Sequence, residues 1–203
     1  MVKRFMNNQK SEKIRNKLQK SSVGIAGAGG LGSNVAVSLA RAGVGNLVIV
    51  DFDNVEKSNL NRQYYFRDQI GMIKVEALKK TIFRIDESVK VDVLNYRLMK
   101  NNMDKPFHNV DVIVEALDSA DIKTMFIEEI MQKLPKTPVV GCSGVAGYGH
   151  SDRINTRKLG NLYMVYDEKA KDCNDDVLIA PRVILMANWQ ANIVLEILMG
   201  EDK

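Results

Sequence analysis

The chain has 203 residues, of which 45% are hydrophobic and 27% are charged, and its net charge is +4. These values are typical of a globular protein with one substantial core, and they exclude a disordered or fibrous chain. No apolar run approaches the roughly 18 residues of a membrane span, and no hydrophobic signal region follows the basic start. Two cysteines are too few for a disulfide framework. We therefore expect a cytoplasmic protein without membrane contact.

The first 20 residues are basic, and we expect them to form a separate helix or arm ahead of one domain at 21–203. Seven cations oppose the single acid Glu12: Lys3, Arg4, Lys10, Lys13, Arg15, Lys17 and Lys20. Interleaved aromatic residues, which are typical of nucleic-acid surfaces, are absent. A solvated helix face with Ile14 and Leu18 directed inward is therefore the favoured interpretation, and an arm that reaches a partner subunit is the alternative.

A strand, a glycine turn, a helix and a second strand follow. Residues 23–26 are apolar, the turn reads GAGGLG, residues 33–42 have a helical pattern, and the apolar run 47–50 ends at Asp51. A GxGxxG turn between a strand and a helix is typical of nucleotide-binding folds, because glycine lets the backbone approach a phosphate and the helix N-terminus favours negative charge. Asp51 can accept hydrogen bonds from ribose hydroxyls. The turn glycines are thus candidate nucleotide-binding residues: Gly27, Gly29, Gly30 and Gly32.

Strands and helices alternate through the rest of the chain. The patterns predict a helix at 70–85, strands at 89–94 and 110–114, a helix at 122–134 capped by Asp121, a strand at 138–142, a hairpin at 153–156 and 162–166, and a long apolar helix at 180–199. This order predicts an α/β, Rossmann-like fold, with a mostly parallel sheet, helices on both faces and an antiparallel extension near the C-terminus. The ends of three strands, at Gly27, Asp51 and Asp118, should then meet in one crevice.

Five further segments accompany the GAGGLGS turn. They are AGVGNLVIVDFD, SNLNRQ, Lys74 in IGMIKVEAL, Asp118 in EALDSAD, and the tail APRVILMANWQANIVLEILMG. With these motifs the sequence resembles the ThiF/MoeB/HesA family, the bacterial relatives of ubiquitin-activating enzymes. The resemblance extends from Ser22 to Gly200 and is weaker between 149 and 171. Within the family the chain is most like a short ThiF-type sulfur carrier adenylyltransferase.

The resemblance implies a reaction. ATP and Mg²⁺ would be used to adenylylate the C-terminal glycine carboxylate of a ubiquitin-like sulfur carrier protein, first of all ThiS of thiamine thiazole synthesis, before a sulfur donor protein acts. A homodimer is also implied. The same chemistry on the carrier MoaD, on another protein or peptide carboxylate, or on a modified tRNA base is the alternative. An NAD-dependent oxidoreductase would use the same turn but leaves SNLNRQ, Lys74 and Asp118 unexplained.

The resemblance also assigns roles to single residues. Catalytic roles fall on Arg62, Lys74 and Asp118, with Cys173 as a further candidate, and Asp118 would be the Mg²⁺ ligand. The nucleotide site would comprise the four turn glycines together with Asp51, Asp53, Ser58, Asn59, Arg62, Lys74, Asp118 and Ser119. Taken singly, Lys74 is also consistent with a solvated helix lysine, and Asp118 with a helix cap.

The two cysteines have different surroundings. Cys142 ends an apolar run and is expected to be a buried core thiol. Cys173 can carry sulfur or link to the carrier by resemblance, but the acids at 172, 175 and 176 would raise its pKa, so a loop cysteine without a role is equally consistent. Two cysteines cannot supply the four ligands of a structural zinc, so we expect none. Arg15 is the candidate for an arginine that family members contribute across the dimer.

Overall fold

A computed structural model describes the backbone of residues 2–170 and 176–200, and the side chains of that range from Lys10 onward. The described part contains five helices and seven strands. In chain order these are α1 (Val2–Gln19), β1 (Ser22–Ala26), α2 (Gly30–Ala42), β2 (Asn46–Val50), α3 (Lys74–Ile85), β3 (Lys90–Leu94), β4 (Val112–Glu115), α4 (Ala120–Lys133), β5 (Val139–Ser143), β6 (Asn155–Leu159), β7 (Leu162–Tyr166) and α5 (Ala180–Met199). The N-terminal segment thus forms a helix from Val2 to Gln19.

The strands form one sheet in the order β3-β2-β1-β4-β5-β7-β6. Every neighbouring pair is parallel except β6 and β7, which are antiparallel. The α/β, Rossmann-like prediction with a late antiparallel extension is therefore confirmed. The reversal of strand order between β1 and β4 opens a crevice at the carboxyl ends of these strands.

The sheet has an apolar core on each face, because successive strand side chains point to opposite sides. Val23 and Ile25 of β1 pack in the larger cluster with the buried faces of α2, α3 and α5. Ala26 of the same strand packs in the second cluster with Phe126 and Ile130 of α4. Helices therefore cover both faces of the sheet. None of the described helices has the length and apolar character needed to cross a membrane.

Three details of the helices differ from the sequence patterns. α3 begins at Lys74 and not at residue 70, because Gly71 has a φ of +87° and ends a short 3-10 turn. α4 begins at Ala120 with Ser119 at the N-cap position, so the assignment of Asp121 as the cap was wrong. The outer face of α5 leaves Ile184 and Leu185 about one-third exposed, at 37% and 36%, so that helix is buried on one face only.

Candidate nucleotide site

The carboxyl ends of three adjacent strands hold the predicted site residues. β2, β1 and β4 lie side by side, and they end at Val50, Ala26 and Glu115. The segments that follow them are Asp51–Asp53, the glycine turn and the turn at Asp118. The convergence that topology predicted is thus present.

The glycine turn is shaped by close backbone contacts. Gly27 has a φ of +99°, and a Cβ atom there would lie 2.5 Å from the carbonyl oxygen of Ala116. A Cβ atom on Gly32 would lie 1.9 Å from the carbonyl oxygen of Gly27. Gly29 occupies the N-cap position of α2 and has open space beside it. A Cβ atom added there would lie 4.0 Å from Nε2 of Gln63. The turn therefore directs the amino end of α2, which attracts anions, toward the crevice.

Asp51 fastens this turn to the end of β2. One carboxylate oxygen accepts the N–H of Ala28 at 2.7 Å, and the other accepts the N–H of Asp53 at 2.8 Å. Burial raises the pKa of Asp51, and the two N–H donors oppose that rise in part. Tyr65 donates its hydroxyl to the carbonyl oxygen of Ala28 at 2.7 Å. Each carboxylate oxygen has a second lone pair, so Asp51 can still accept from a ribose hydroxyl.

Lys74 is a buried cation, and it is not the solvated helix lysine of the alternative interpretation. Its side chain is 8% exposed, and its ammonium group lies 2.8 Å from a carboxylate oxygen of Asp53. The Asp53 side chain is 44% exposed, so the pair has one buried and one solvated member. The N–H of Lys74 also donates to the carbonyl oxygen of Asp53 at 2.9 Å. Asp53 and Lys74, both predicted site residues, are therefore held together next to Asp51.

Arg62 lies against the glycine turn. A Cβ atom on Gly30 would be 3.8 Å from Cγ of Arg62 and 3.9 Å from its Nε. The guanidinium group donates to the carbonyl oxygen of Ser58 at 3.1 Å and to Asn61 at 2.8 Å. Asn34, which sequence reasoning missed, holds the backbone of both parts, since its amide donates to the carbonyl oxygens of Gly30 and Arg62.

Ser58 and Asn59 play different parts. Ser58 is exposed and donates to Glu56 at 3.1 Å. Asn59 is buried, and its side-chain oxygen accepts the N–H of Glu56 at 2.9 Å. That oxygen therefore helps to shape the SNLNRQ turn, and the place of Asn59 in the nucleotide site stays a prediction.

Asp118 and Ser119 are exposed at the turn between β4 and α4. Within the described part of the chain, Asp118 has no side-chain hydrogen bond or ion pair. No group of three or more His, Cys, Asp or Glu residues that could hold a metal ion occurs among the described residues. Mg²⁺ typically takes one or two protein carboxylates together with substrate phosphates. A single exposed carboxylate at the end of β4, next to the strand that carries the glycine turn, fits such a Mg²⁺ site.

Two buried ion pairs near the crevice escaped the sequence analysis. Arg182 in the first turn of α5 lies 2.5 Å from Asp167 and donates to the carbonyl oxygens of Gly144 and Gly149. Glu115, at the end of β4, is fully buried against Lys123. The only signal in the sequence was a charged residue inside or next to an apolar run, and such a residue gives no indication of its partner.

The structure decides one of the two cysteine expectations. Cys142 is buried, and burial raises the pKa of its thiol to about 12, which confirms it as a core residue. Cys173 lies outside the described residues, so its role stays a prediction. Arg15 is exposed on α1, and its contribution across a dimer also stays a prediction.

Sequence comparison gives a family. The profile described as the ThiF family matches residues 3–203. The chain belongs to the ThiF family. The chain is 30% identical over 191 residues to "Adenylyltransferase and sulfurtransferase UBA4" of Candida glabrata, with 91% of this chain and 44% of the relative covered. It is 32% identical over 192 residues to "Adenylyltransferase and sulfurtransferase MOCS3" of Dictyostelium discoideum, with 92% and 45% covered. This ThiF-family chain thus spans less than half the length of these curated relatives.

Solved structures confirm the fold of this ThiF-family chain. The ATP complex of Escherichia coli tRNA N6-threonylcarbamoyladenosine dehydratase, TcdA, superimposes with a TM-score of 0.84 at 21% identity, covering 94% of this chain and 90% of that one. Escherichia coli MccB with ATP has a TM-score of 0.70 at 22% identity, covering 94% and 59%. At these identities the likeness concerns the fold alone.

Proposed function

We propose that this ThiF-family protein uses ATP to adenylylate the C-terminal carboxylate of a ubiquitin-like carrier protein. The observation that carries the proposal is the meeting of an anion-attracting glycine turn, two cations and a free carboxylate at one sheet edge. Adenylylation needs these groups, because a carboxylate oxygen attacks the α-phosphorus while the bond to the bridging oxygen breaks and pyrophosphate leaves. Negative charge grows on the leaving group, and it must be neutralised.

The glycine turn and Asp51 would hold the nucleoside side of ATP. The N–H groups at the start of α2 face the crevice, and Gly29 leaves room for a phosphate to approach the backbone. Asp51 accepts two backbone N–H groups, so its position is fixed before a ribose arrives. This arrangement would orient the α-phosphorus without movement of the turn.

Arg62 and Lys74 would neutralise the phosphates. Asp53 holds the ammonium group of Lys74 at 2.8 Å, which limits the positions that this long side chain can adopt. Asp118 would hold Mg²⁺, which supplies charge neutralisation between the phosphate oxygens when it is bound. The exposed carboxylate of Asp118, free of partners within the described residues, is suited to that task.

The substrate class follows from the relatives. UBA4 and MOCS3 are named adenylyltransferases and sulfurtransferases, and a shorter match of 36% over 120 residues is "Ubiquitin-like modifier-activating enzyme 5" of Caenorhabditis briggsae. These names support a carrier protein as the acyl substrate. ThiS is the specific carrier that we propose, followed by sulfur transfer from a donor protein with Cys173 as a candidate participant. We also propose a homodimer.

Carrier-dependent exchange of labelled pyrophosphate into ATP tests the proposal, with purified ThiS and MoaD measured side by side. We expect exchange with ThiS and its loss in Asp118→Ala, whose folding should be unaffected because the exposed side chain has no hydrogen-bond or ion-pair partner among the described residues. Exchange with MoaD alone would keep the chemistry and replace the carrier. Silence with both carriers, despite tight ATP binding, would contradict the proposal and direct attention to another acyl substrate or to tRNA.

A further inference from the structure

Glu115 is a fully buried carboxylate that the proposed reaction does not use. It is the last residue of β4, and its exposure is 0%. Burial raises the pKa of Glu115, although the ammonium group of Lys123 opposes that rise. A charge in such a place is costly unless every polar atom around it has a partner. Its partners therefore indicate why it is retained there.

Lys123 satisfies this carboxylate and links three elements. Its ammonium group donates to the two carboxylate oxygens of Glu115 at 2.8 and 2.7 Å. It also donates to the carbonyl oxygen of Cys142 at 3.0 Å. Three donors meet three acceptors, so the ammonium group is saturated. The pair thereby joins the end of β4, the first turns of α4 and the end of β5.

The turn that carries Asp118 lies between the two members of this pair. Glu115 accepts the N–H of Leu117 at 2.8 Å, directly before Asp118. The N–H of Lys123 donates to the carbonyl oxygen of Ser119 at 2.9 Å, directly after Asp118. The backbone is thus held on both sides of a residue whose own side chain is exposed.

We propose that Glu115 and Lys123 are positioning residues that fix the turn of Asp118 and so set the affinity of the site for the Mg²⁺ that accompanies ATP. This inference rests on the proposed function. Buried ion pairs contribute little net stability compared with apolar packing, so stability alone does not account for the pair. Second-layer partners of a metal ligand, in contrast, commonly change metal affinity by about 10- to 100-fold.

The same helix supplies a matched control. Lys133 near the end of α4 pairs with Glu129 at 3.2 Å and with Asp104 at 2.9 Å, and Glu129 accepts the N–H groups of Asn101 and Met103. This second pair resembles the first in charge and in its hold on a loop backbone. It contacts neither the Asp118 turn nor the glycine turn.

The test measures ATP binding by calorimetry without any carrier, with and without Mg²⁺. In Glu115→Gln/Lys123→Met we expect the ratio of the Kd for ATP without Mg²⁺ to the Kd with Mg²⁺ to fall about tenfold or more. The Kd without Mg²⁺ should stay within about twofold of the wild-type value. Glu129→Gln, which leaves the pair of Lys133 with Asp104 in place, should keep the full Mg²⁺ effect. Hydrogen exchange should be faster at residues 117–119 in the first variant and unchanged at 27–32.

Each result has a distinct reading. A wild-type Mg²⁺ effect in Glu115→Gln/Lys123→Met overturns the inference, as does an equal loss of ATP affinity without Mg²⁺, which would mean a general loosening of the site. If the double variant does not fold, Glu115→Gln alone decides, since its amide removes the charge and one of the two oxygens that hold the ammonium group of Lys123; an unchanged Mg²⁺ effect there overturns the inference. Failure of the wild type to bind ATP would instead overturn the proposed function.

Discussion

The ammonium group of Lys74 lies 2.8 Å from Asp53, and the two side chains differ sharply in exposure. If Asp53 is removed, a buried cation remains without its partner. If Lys74 is removed, a largely solvated carboxylate remains, which water can satisfy. The two substitutions should therefore have unequal costs, because an unpaired charge is expensive only where water cannot reach it.

We expect Lys74→Met to lower pyrophosphate exchange about 100-fold or more, the usual range for one lost electrostatic contact to a transition state, while unfolding free energy falls by less than about 1 kcal/mol. Asp53→Ala should cost more stability than Lys74→Met. Exchange kinetics and urea unfolding measure the two effects. Lys79→Met, an exposed lysine on the same helix, is the control; an equal loss of exchange in that variant would contradict a phosphate role for Lys74.

At the scale of elements, the glycine turn combines two different spatial demands. Gly32 is enclosed by the backbone of the turn itself, since an added Cβ would lie 1.9 Å from the oxygen of Gly27. Gly29 faces open space, and an added Cβ would meet only Gln63 at 4.0 Å. The fold requires Gly32, and we propose that the ligand requires Gly29.

The two alanine variants should separate these demands. Gly32→Ala should lower the unfolding free energy by roughly 3 kcal/mol or more, because backbone atoms must shift. Gly29→Ala should leave stability nearly unchanged but weaken ATP binding about tenfold, or about 1.4 kcal/mol, since the methyl group occupies the space of a phosphate. Urea unfolding and ATP titration give the values. Equal stability of the two variants would refute the distinction.

Arg182 connects the first turn of α5 with the glycine-rich loop at 143–149. The side chain of Arg182 is 4% exposed, and the side chain of its partner Asp167 is 5% exposed. Arg182→Met should lower the unfolding free energy by about 3–5 kcal/mol, because it leaves that carboxylate buried and unpaired. Asp167→Asn/Arg182→Met should recover much of the loss. Chemical denaturation measures both unfolding free energies. A double variant that is no more stable than Arg182→Met would contradict this account.

At the scale of the whole molecule, paired carboxylates set the response to acid. Burial opposes ionisation of Asp167, but the N–H of Lys169 and the guanidinium group of Arg182 outweigh it and lower its pKa. Lys133 likewise lowers the pKa of Asp104 against the effect of burial. Both groups are ionised more readily in the folded chain than in the unfolded one, where the pKa of Asp is about 3.9.

The sign of the pH dependence follows. Stability from these groups is fully present above their unfolded pKa and is lost as the pH falls through their lower folded values. Burial raises the pKa of Asp51 and Glu115, so these two carboxyl groups act in the opposite direction and add stability as the pH falls. The comparison of the wild type with Asp167→Asn/Arg182→Met isolates the paired group, and we expect the urea midpoint of the wild type to decrease more below about pH 4 than that of the variant. An equal or smaller decrease in the wild type would be inconsistent with the assignment.

The sequence alone predicted most of the fold. The apolar runs and glycine stops identified all seven described strands and the helices α2 to α5 to within a few residues, because periodicity and turn chemistry are local properties. The boundary of α3 was missed by four residues, since the positive φ of Gly71 is set by the packing of the 54–73 loop. The cap of α4 was misplaced because Ser119, with extended backbone and no side-chain cap hydrogen bond, precedes the first helical residue.

The candidate site likewise has some features that the sequence predicts and others that depend on tertiary packing. GAGGLG, Asp51, SNLNRQ, Lys74 and Asp118 were visible in the sequence, since their residue types and spacing follow from the chemistry of a nucleotide and from the order of the strands. Only the tertiary structure decided that Asn59 helps to shape a turn, that Lys74 is buried against Asp53, and that Glu115 and Arg182 pair with Lys123 and Asp167, respectively. The physical reason is that burial and charge pairing depend on distances between segments, and a linear pattern does not contain those distances.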